Sequence, residues 1–336
     1  MTAVPLGPLW NTFYHPGYNC SRTMAPGFAW NKVHDGIQSA FGLWSILFGI
    51  AAETLYLPCM LALRQEKSSC YRIMFALAVL DMMTLPVSAL IFGVGLIMGE
   101  VYCSHPTFHF FLGAFGLGGL GSWCCASMIV LILAVNRVCE LLGKSWIFKG
   151  VRTTLFLTIS IVYGLAVGLF SPPPMLNSQF QSYFFNPFIS FQDEYVFINV
   201  LHAINNIAVV FFSSAVYAFL CLVVMMKQGA LRTEKGMKRM KASYSVFLQA
   251  GLIMLFNLVS SSIYVYMNFF YTPLWLIQVA QLMWQFAQGM PPVIYLTLNK
   301  TIRRYTQNML ATGSQVQPFS GGSMRQRMSE RMSSQG

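Results

Sequence analysis

The chain has 336 residues, of which 56% are hydrophobic and 9% charged, with a net charge of +11 and a mean hydropathy of +0.57. Soluble domains carry about 25% charged residues, so this composition excludes a soluble globular domain and indicates an integral membrane protein. Apolar runs of roughly 18–30 residues are too long for barrel strands, and the positive charge is confined to a few segments, which argues against a nucleic-acid-binding surface.

Residues 1–35 read as an extracellular tail containing Cys20 and the sequon Asn19-Cys20-Ser21. The stretch from Met1 to Trp30 has no apolar signal-peptide core, so the first apolar run is expected to direct insertion. A helical domain over 36–298 follows, with seven spans at 36–63, 73–98, 107–137, 153–170, 195–226, 242–270 and 274–298. Span 3 organises the rest. Gly113, Gly116, Gly118, Gly119, Gly121, Ser122, Ala126 and Ser127 leave little side chain on its outer half, which suits a central helix approached closely on several sides. Span 4 is stopped by Pro172-Pro173-Pro174, since proline cannot continue a helix. An aromatic loop over 175–194 leads to span 5, and a turn at Pro273 precedes span 7.

The cations orient this bundle. Of the 21 Lys and Arg residues, 19 fall in the loops after spans 1, 3 and 5 or after span 7, and Arg22 and Lys32 alone lie in the first tail. The positive-inside rule places the N-terminus outside and the C-terminus inside. The fold class is therefore an all-α membrane protein, a seven-transmembrane helix bundle embedded in a lipid bilayer. After span 7, Ile302, Tyr305 and Met309 lie at helical spacing among Lys300, Arg303 and Arg304. That pattern predicts a short amphipathic helix over 299–310 on the inner leaflet. Residues 311–336 are rich in Ser, Gly, Gln and Arg and are expected to be a disordered cytoplasmic tail.

Polar residues at membrane depth mark interior faces. Two carboxylates, Glu53 and Asp81, sit within spans 1 and 2. Span 7 carries a stripe of Gln278, Gln281, Gln285 and Gln288 before Pro292, and span 5 carries Asn199, His202 and Asn206. His202, Asn206, Tyr264, Gln281 and Gln285 are the candidate ligand-binding residues of an outer cavity; interhelical hydrogen bonding is the alternative. Cys20 and Cys103 are the cysteines placed outside, so an outer disulfide would join them. Cys59, Cys124, Cys125 and Cys221 read as packing residues within spans.

The cationic end of span 3, Asp81 in Leu77-Ala78-Val79-Leu80-Asp81, and Pro291-Pro292-Val293-Ile294-Tyr295 resemble the seven-transmembrane receptor superfamily. There an arginine closes helix 3, an aspartate sits in helix 2 and a Pro-x-x-Tyr ends helix 7. Narrower matches are Tyr18-Asn19-Cys20-Ser21, Ser69-Cys70-Tyr71-Arg72-Ile73-Met74, Ser122-Trp123-Cys124-Cys125-Ala126-Ser127-Met128, Ile204-Asn205-Asn206-Ile207, Tyr264-Val265-Tyr266-Met267 and Trp284-Gln285. Together with the run from Ile294 to Arg303, they resemble the nematode serpentine chemoreceptors of class T. The resemblance implies a chemosensory G-protein-coupled receptor of the plasma membrane in a sensory neuron. Its partners would be a small-molecule ligand and a heterotrimeric G protein. The implied switch residues are Asp81, Asn136, Arg137, Pro292 and Tyr295. Asn136 departs from the superfamily by replacing the acid that usually precedes the arginine. Glu140 is the expected partner of Arg137, as an exposed pair. The spans also lack the usual helix 5 proline and the helix 6 Cys-Trp-x-Pro.

Other classes fit less well. A transporter or channel is the alternative, but the chain shows no inverted repeat or pair of interrupted helices. Span 7 has no lysine for retinal. His105 and His109 have ligand spacing but no third ligand is evident, so no metal, cofactor or enzymatic activity is expected.

Overall fold

The computed structural model describes residues 13–20, 38–114, 119–188, 197–228 and 234–311. In chain order its helices are α1 (Ser39–Gln65), α2 (Ser69–Met98), α3 (Pro106–Ala114), α4 (Leu120–Leu141), α5 (Val151–Phe170), α6 (Val200–Gln228), α7 (Glu234–Phe269), α8 (Leu274–Gly289), α9 (Pro291–Leu298) and α10 (Lys300–Ala311). Among the described residues, α1, α2, α4, α5, α6 and α7 each contain a stretch long and apolar enough to cross a membrane. The broken pair α8–α9 fills the seventh position, covering the same residues as span 7.

Lipid inverts the usual helix pattern. The inward face of α1 is Gly42, Ser45, Gly49, Ala52, Tyr56 and Cys59, a seven-residue repeat of mostly small residues. Leu43, Leu47, Ile50, Leu57 and Leu61 face outward. Small inward residues let backbones meet. A Cβ on Gly42 would lie 2.6 Å from Gly93 O of α2, and one on Gly93 would lie 2.5 Å from Gly42 O. The same reciprocal contact joins α4 to α5: Gly121 would meet Gly164 O at 2.6 Å, and Gly164 would meet Gly121 O at 2.5 Å. Between α6 and α7 the corresponding approach, Gly251 to Tyr217, is an ordinary 3.4 Å. The apolar stretch of α4 is 67% buried, against 28–50% for the other five, so the small-residue segment is the central helix.

Two prolines shape the interior. Pro86 begins a π-helical segment of α2, Pro86–Ile91, where widening offers backbone carbonyls to partners outside the helix. Pro292 has no N–H, so the carbonyl four residues earlier, Gln288 O, loses its helical donor. Tyr56 Oη takes that place at 2.7 Å. Asn299 then ends α9 in an extended conformation, and its Oδ1 accepts from Thr301 N (3.0 Å) and Ile302 N (3.2 Å), capping α10.

The helix boundaries differ from the sequence reading in informative places. The second helix begins at Ser69 rather than residue 73 because Arg72 does not end it. Arg72 reaches sideways to donate to Gly150 O (3.1 Å) and Thr154 Oγ1 (2.7 Å), covering the start of α5. Span 3 is not one helix over 107–137: α3 and α4 lie on either side of residues 115–118, which are outside the described residues. Gly119 is extended and precedes α4, in keeping with the cost of about 1 kcal/mol for each helical glycine. The seventh span is interrupted at Met290. The aromatic loop contains an antiparallel hairpin, β1 (Met175–Asn177) and β2 (Ser182–Phe184), in the register Met175↔Phe184, Leu176↔Tyr183 and Asn177↔Ser182. The first tail, residues 1–35, and the last, 311–336, lie largely outside the described residues.

Candidate ligand cavity and switch residues

A cavity of about 660 Å³ opens at the end of the bundle that carries the hairpin. Its walls come from α4 (Trp123), α6 (His202), α7 (Tyr264) and α8 (Trp284), with Tyr183 and Phe185 of the hairpin segment across the top. Among the described residues that line it, none is Asp, Glu, Lys or Arg.

A hydrogen-bond chain sets the orientation of its polar wall. Trp123 Nε1 can only donate, and it lies 2.8 Å from Asn206 Oδ1. That fixes Asn206 Nδ2 as the donor to His202 Nε2 at 2.9 Å. His202 therefore carries its proton on Nδ1 when neutral. Tyr163 Oη donates to Asn205 Oδ1 (3.0 Å) and braces the same turn of α6. The His202 ring meets Tyr264 edge-on at 5.4 Å between centroids and Phe185 at 5.1 Å. Trp284 meets Tyr183 at 5.6 Å, also edge-on. The indole Nε1 of Trp284 makes no hydrogen bond among the described residues although it is buried.

The hairpin is fastened on three sides. Tyr183 Oη donates to Val87 O (3.0 Å) in the π-helical segment of α2. Burial, with a smaller contribution from the Glu100 carboxylate, raises the Tyr183 phenol above its ordinary pKa and keeps this donor protonated. Gln278 Nε2 donates to Gln181 Oε1 (2.9 Å), and Ser182 Oγ donates to Gln281 Oε1 (3.3 Å). Ser178 N donates to Glu100 O (3.0 Å), and Val101 bridges Asn177. The Cys20–Cys103 disulfide joins the 13–20 segment to the loop before α3, with Cα atoms 5.8 Å apart. Beside it, Tyr18 Oη donates to Phe185 O (3.2 Å) and Tyr102 Oη donates to Tyr18 O (3.2 Å). Burial pushes the Tyr102 phenol up to about 12.

The five residues expected to bind ligand separate into two groups. His202 and Tyr264 line the cavity, with Asn206 directly behind His202. Gln281 and Gln285 are not among the lining residues. Gln285 Nε2 donates to Ser88 O (2.7 Å) and Ser45 Oγ (3.2 Å), and Gln281 Nε2 donates to Ser88 O (3.3 Å). They join α8 to Ser88 O in the π-helical segment of α2, and Gln285 also to Ser45 of α1. Trp123, Trp284, Tyr183 and Phe185 were not singled out as cavity residues. Aromatic residues are common in spans, so their type alone does not mark them as cavity residues.

The residues expected to form a switch occupy two places. Toward the bundle centre, Tyr56 Oη lies 2.8 Å from Asp81 Oδ2 as well as beside Gln288 O. A hydroxyl has one proton, so both contacts are hydrogen bonds only when Asp81 carries a proton of its own. Tyr295, one turn past Pro292, is fully buried, and its hydroxyl makes no hydrogen bond among the described residues. At the far end of α4, Arg137 Nη1 lies 2.8 Å from Glu140 Oε2, and Nη2 donates to Glu140 Oε1 (3.1 Å) and Asn136 Oδ1 (2.6 Å). Asn136 Nδ2 donates to Ser69 Oγ of α2 (3.0 Å). The pair is not the exposed one expected from the sequence: the Arg137 side chain is 9% exposed and Glu140 35%.

A family model described as the serpentine type 7TM GPCR chemoreceptor Srt matches residues 8–318. The chain is similar to serpentine receptor class T-55 of Caenorhabditis elegans, with 25% identity over 242 residues. That match covers 71% of this chain and 65% of the relative, so the chain spans just under two thirds of the relative's length. Its fold is similar to that of squid rhodopsin, with a TM-score of 0.58, 12% identity and 94% of each chain covered.

Proposed function

Because the chain belongs to the Srt family of serpentine seven-transmembrane chemoreceptors, we propose that it is a chemosensory receptor. It takes a small uncharged ligand into the cavity beneath the hairpin and activates a cytosolic heterotrimeric G protein. In this reading the hairpin end faces outward at the plasma membrane of a sensory neuron, and the Arg137 end faces the cytosol. The family is one of receptors rather than enzymes. The observation that carries the ligand class is the aromatic cavity wall without a lining charge, together with the unpaired Trp284 Nε1. A buried donor left without an acceptor costs about 1–3 kcal/mol, and a ligand carbonyl, ether or ring nitrogen removes that cost. The aromatic faces then favour a flat or ring-containing body.

His202 and Tyr264 are the proposed ligand contacts, and Asn206 holds His202 in the required tautomer. Gln281 and Gln285 act indirectly, by holding the hairpin and α2 against α8. Asp81, Asn136, Arg137, Pro292 and Tyr295 form the proposed switch. Ligand binding favours an open state by its differential affinity, and Arg137 and Tyr295 then rearrange toward the G protein. The test is a second-messenger screen in cells expressing the receptor, using uncharged ring-containing odorants with and without an acceptor atom. Acceptor-bearing ligands should be preferred, and Trp284→Phe should remove that preference about tenfold. Activation confined to charged amines or acids, or a preference untouched by Trp284→Phe, would sink this reading.

A further inference from the structure

Beside the disulfide, three side chains that contribute nothing to the cavity wall converge. Gly99 ends α2 in a left-handed turn, φ 69°, which directs Glu100 back toward the start of α3. His105 precedes α3, and His109 follows one helical turn later, so both imidazoles project from one side. Glu100 Oε1 lies 3.5 Å from His105 Nδ1, and Glu100 Oε2 lies 3.1 Å from His109 Nε2. One ligand atom from each of the three residues lies within 4.8 Å of the others.

We propose that Glu100, His105 and His109 form a Zn2+ site. Zinc binds imidazole nitrogen and carboxylate oxygen at about 2.0–2.2 Å, which places tetrahedral ligands about 3.3 Å apart. The two Glu100–His separations bracket that spacing, and the ligand atoms of all three residues lie within 4.8 Å of one another, so side-chain rotation must draw the histidines together around an ion. His109 is buried, with its side chain 1% exposed; Nε2 faces Glu100 Oε2 at 3.1 Å, and neither ring nitrogen makes a regular hydrogen bond among the described residues. A buried imidazole held only by a neighbouring carboxylate is poised as a metal ligand, and a cation between the two would satisfy both. His105, 64% exposed, leaves the site open on the solvent side, where a water completes four-coordination. Two imidazoles with one carboxylate suit zinc, whereas Mg2+ and Ca2+ require six or more oxygen ligands.

The site also bears on the hairpin. Glu100 O accepts from Ser178 N in the hairpin turn, Val101 bridges Asn177, and Cys103 carries the disulfide. A metal bound by Glu100 would brace the strand that anchors the roof of the cavity.

The experiment is calorimetric titration of the purified full chain in lipid nanodiscs with ZnCl2, paired with thermal unfolding. We expect one Zn2+ per chain, a raised unfolding midpoint, and no binding of MgCl2 at the same concentrations. His105→Ala removes an exposed ligand and should leave the metal-free midpoint unchanged. Its zinc affinity should fall at least tenfold, as should that of Glu100→Gln. Absence of zinc binding to the unaltered chain, or wild-type zinc affinity in His105→Ala, would overturn the assignment.

Discussion

Replacing Glu140 by Gln should raise ligand-independent signalling. Arg137 is held by two contacts to this carboxylate, at 2.8 and 3.1 Å, and by Asn136 Oδ1. An exposed helical pair is worth about 0.3–0.5 kcal/mol, whereas breaking a buried pair from one side costs about 3–5 kcal/mol. Arg137 is nearly buried, but Glu140 is 35% exposed, so solvent screens part of the attraction. An intermediate value of about 1–2 kcal/mol follows, which is roughly a five- to thirty-fold shift in the closed-to-open ratio. The glutamine keeps the shape and one acceptor but removes the charge, so packing is retained. Second-messenger output per surface receptor, measured without ligand, reads the shift directly. Wild-type basal output from Glu140→Gln at equal surface level would refute the view that this pair restrains the closed form.

Arg137→Ala should instead silence coupling while ligand binding persists; full signalling at normal surface levels would defeat the proposed role of Arg137. Cys103→Ser opens a crosslink across a sequence separation of 83, for which chain entropy sets a ceiling of about 4.5 kcal/mol. The bilayer already tethers the intervening helices, so a smaller fall in unfolding midpoint is expected, and an unchanged midpoint would contradict it. Gly121→Ala places a methyl group 2.6 Å from Gly164 O. Overpacking of this kind costs about 1–3 kcal/mol, readable as reduced thermal stability, and an equally stable variant would show that α4 and α5 yield there. Gln285→Ala removes the donor to Ser88 O and Ser45 Oγ, so it should lower stability more than it lowers ligand potency; the reverse order would place Gln285 at the ligand itself.

The bundle was readable in the sequence because lipid imposes long apolar runs and breaks mark their ends. Arg72 shows where that reading failed: a cation suggested a loop, but a long side chain can leave a helix sideways to reach polar groups on α5. The hairpin escaped notice because its turn uses Gln181 at φ 53°, with no glycine to announce it. Polar spacing identified the α6 stripe, yet it could not distinguish a cavity wall from hydrogen bonds between helices. Gln281 and Gln285 look alike in sequence to residues facing a ligand, and only Ser88 O in the π-helical segment of α2 gives them another destination. The sequence shows no third group beside His105 and His109, because Glu100 is brought to them by the left-handed turn at Gly99, which spacing along the chain does not announce.

The glycine contacts have a mechanical consequence. Where two backbones touch through glycine, neither helix can slide or roll without first separating. α1 is keyed to α2 in this way, and α4 to α5. The contact between α6 and α7 has no such key, since Gly251 meets a side-chain edge that can swing aside. The keys thus join two separate pairs, α1 with α2 and α4 with α5, and among the described residues α6 and α7 carry no such key between them. His202 and Tyr264 sit on that unkeyed pair, facing Trp123 on α4. In the proposed reading, a molecule wedged among them would press on the pair of helices that lacks a backbone key.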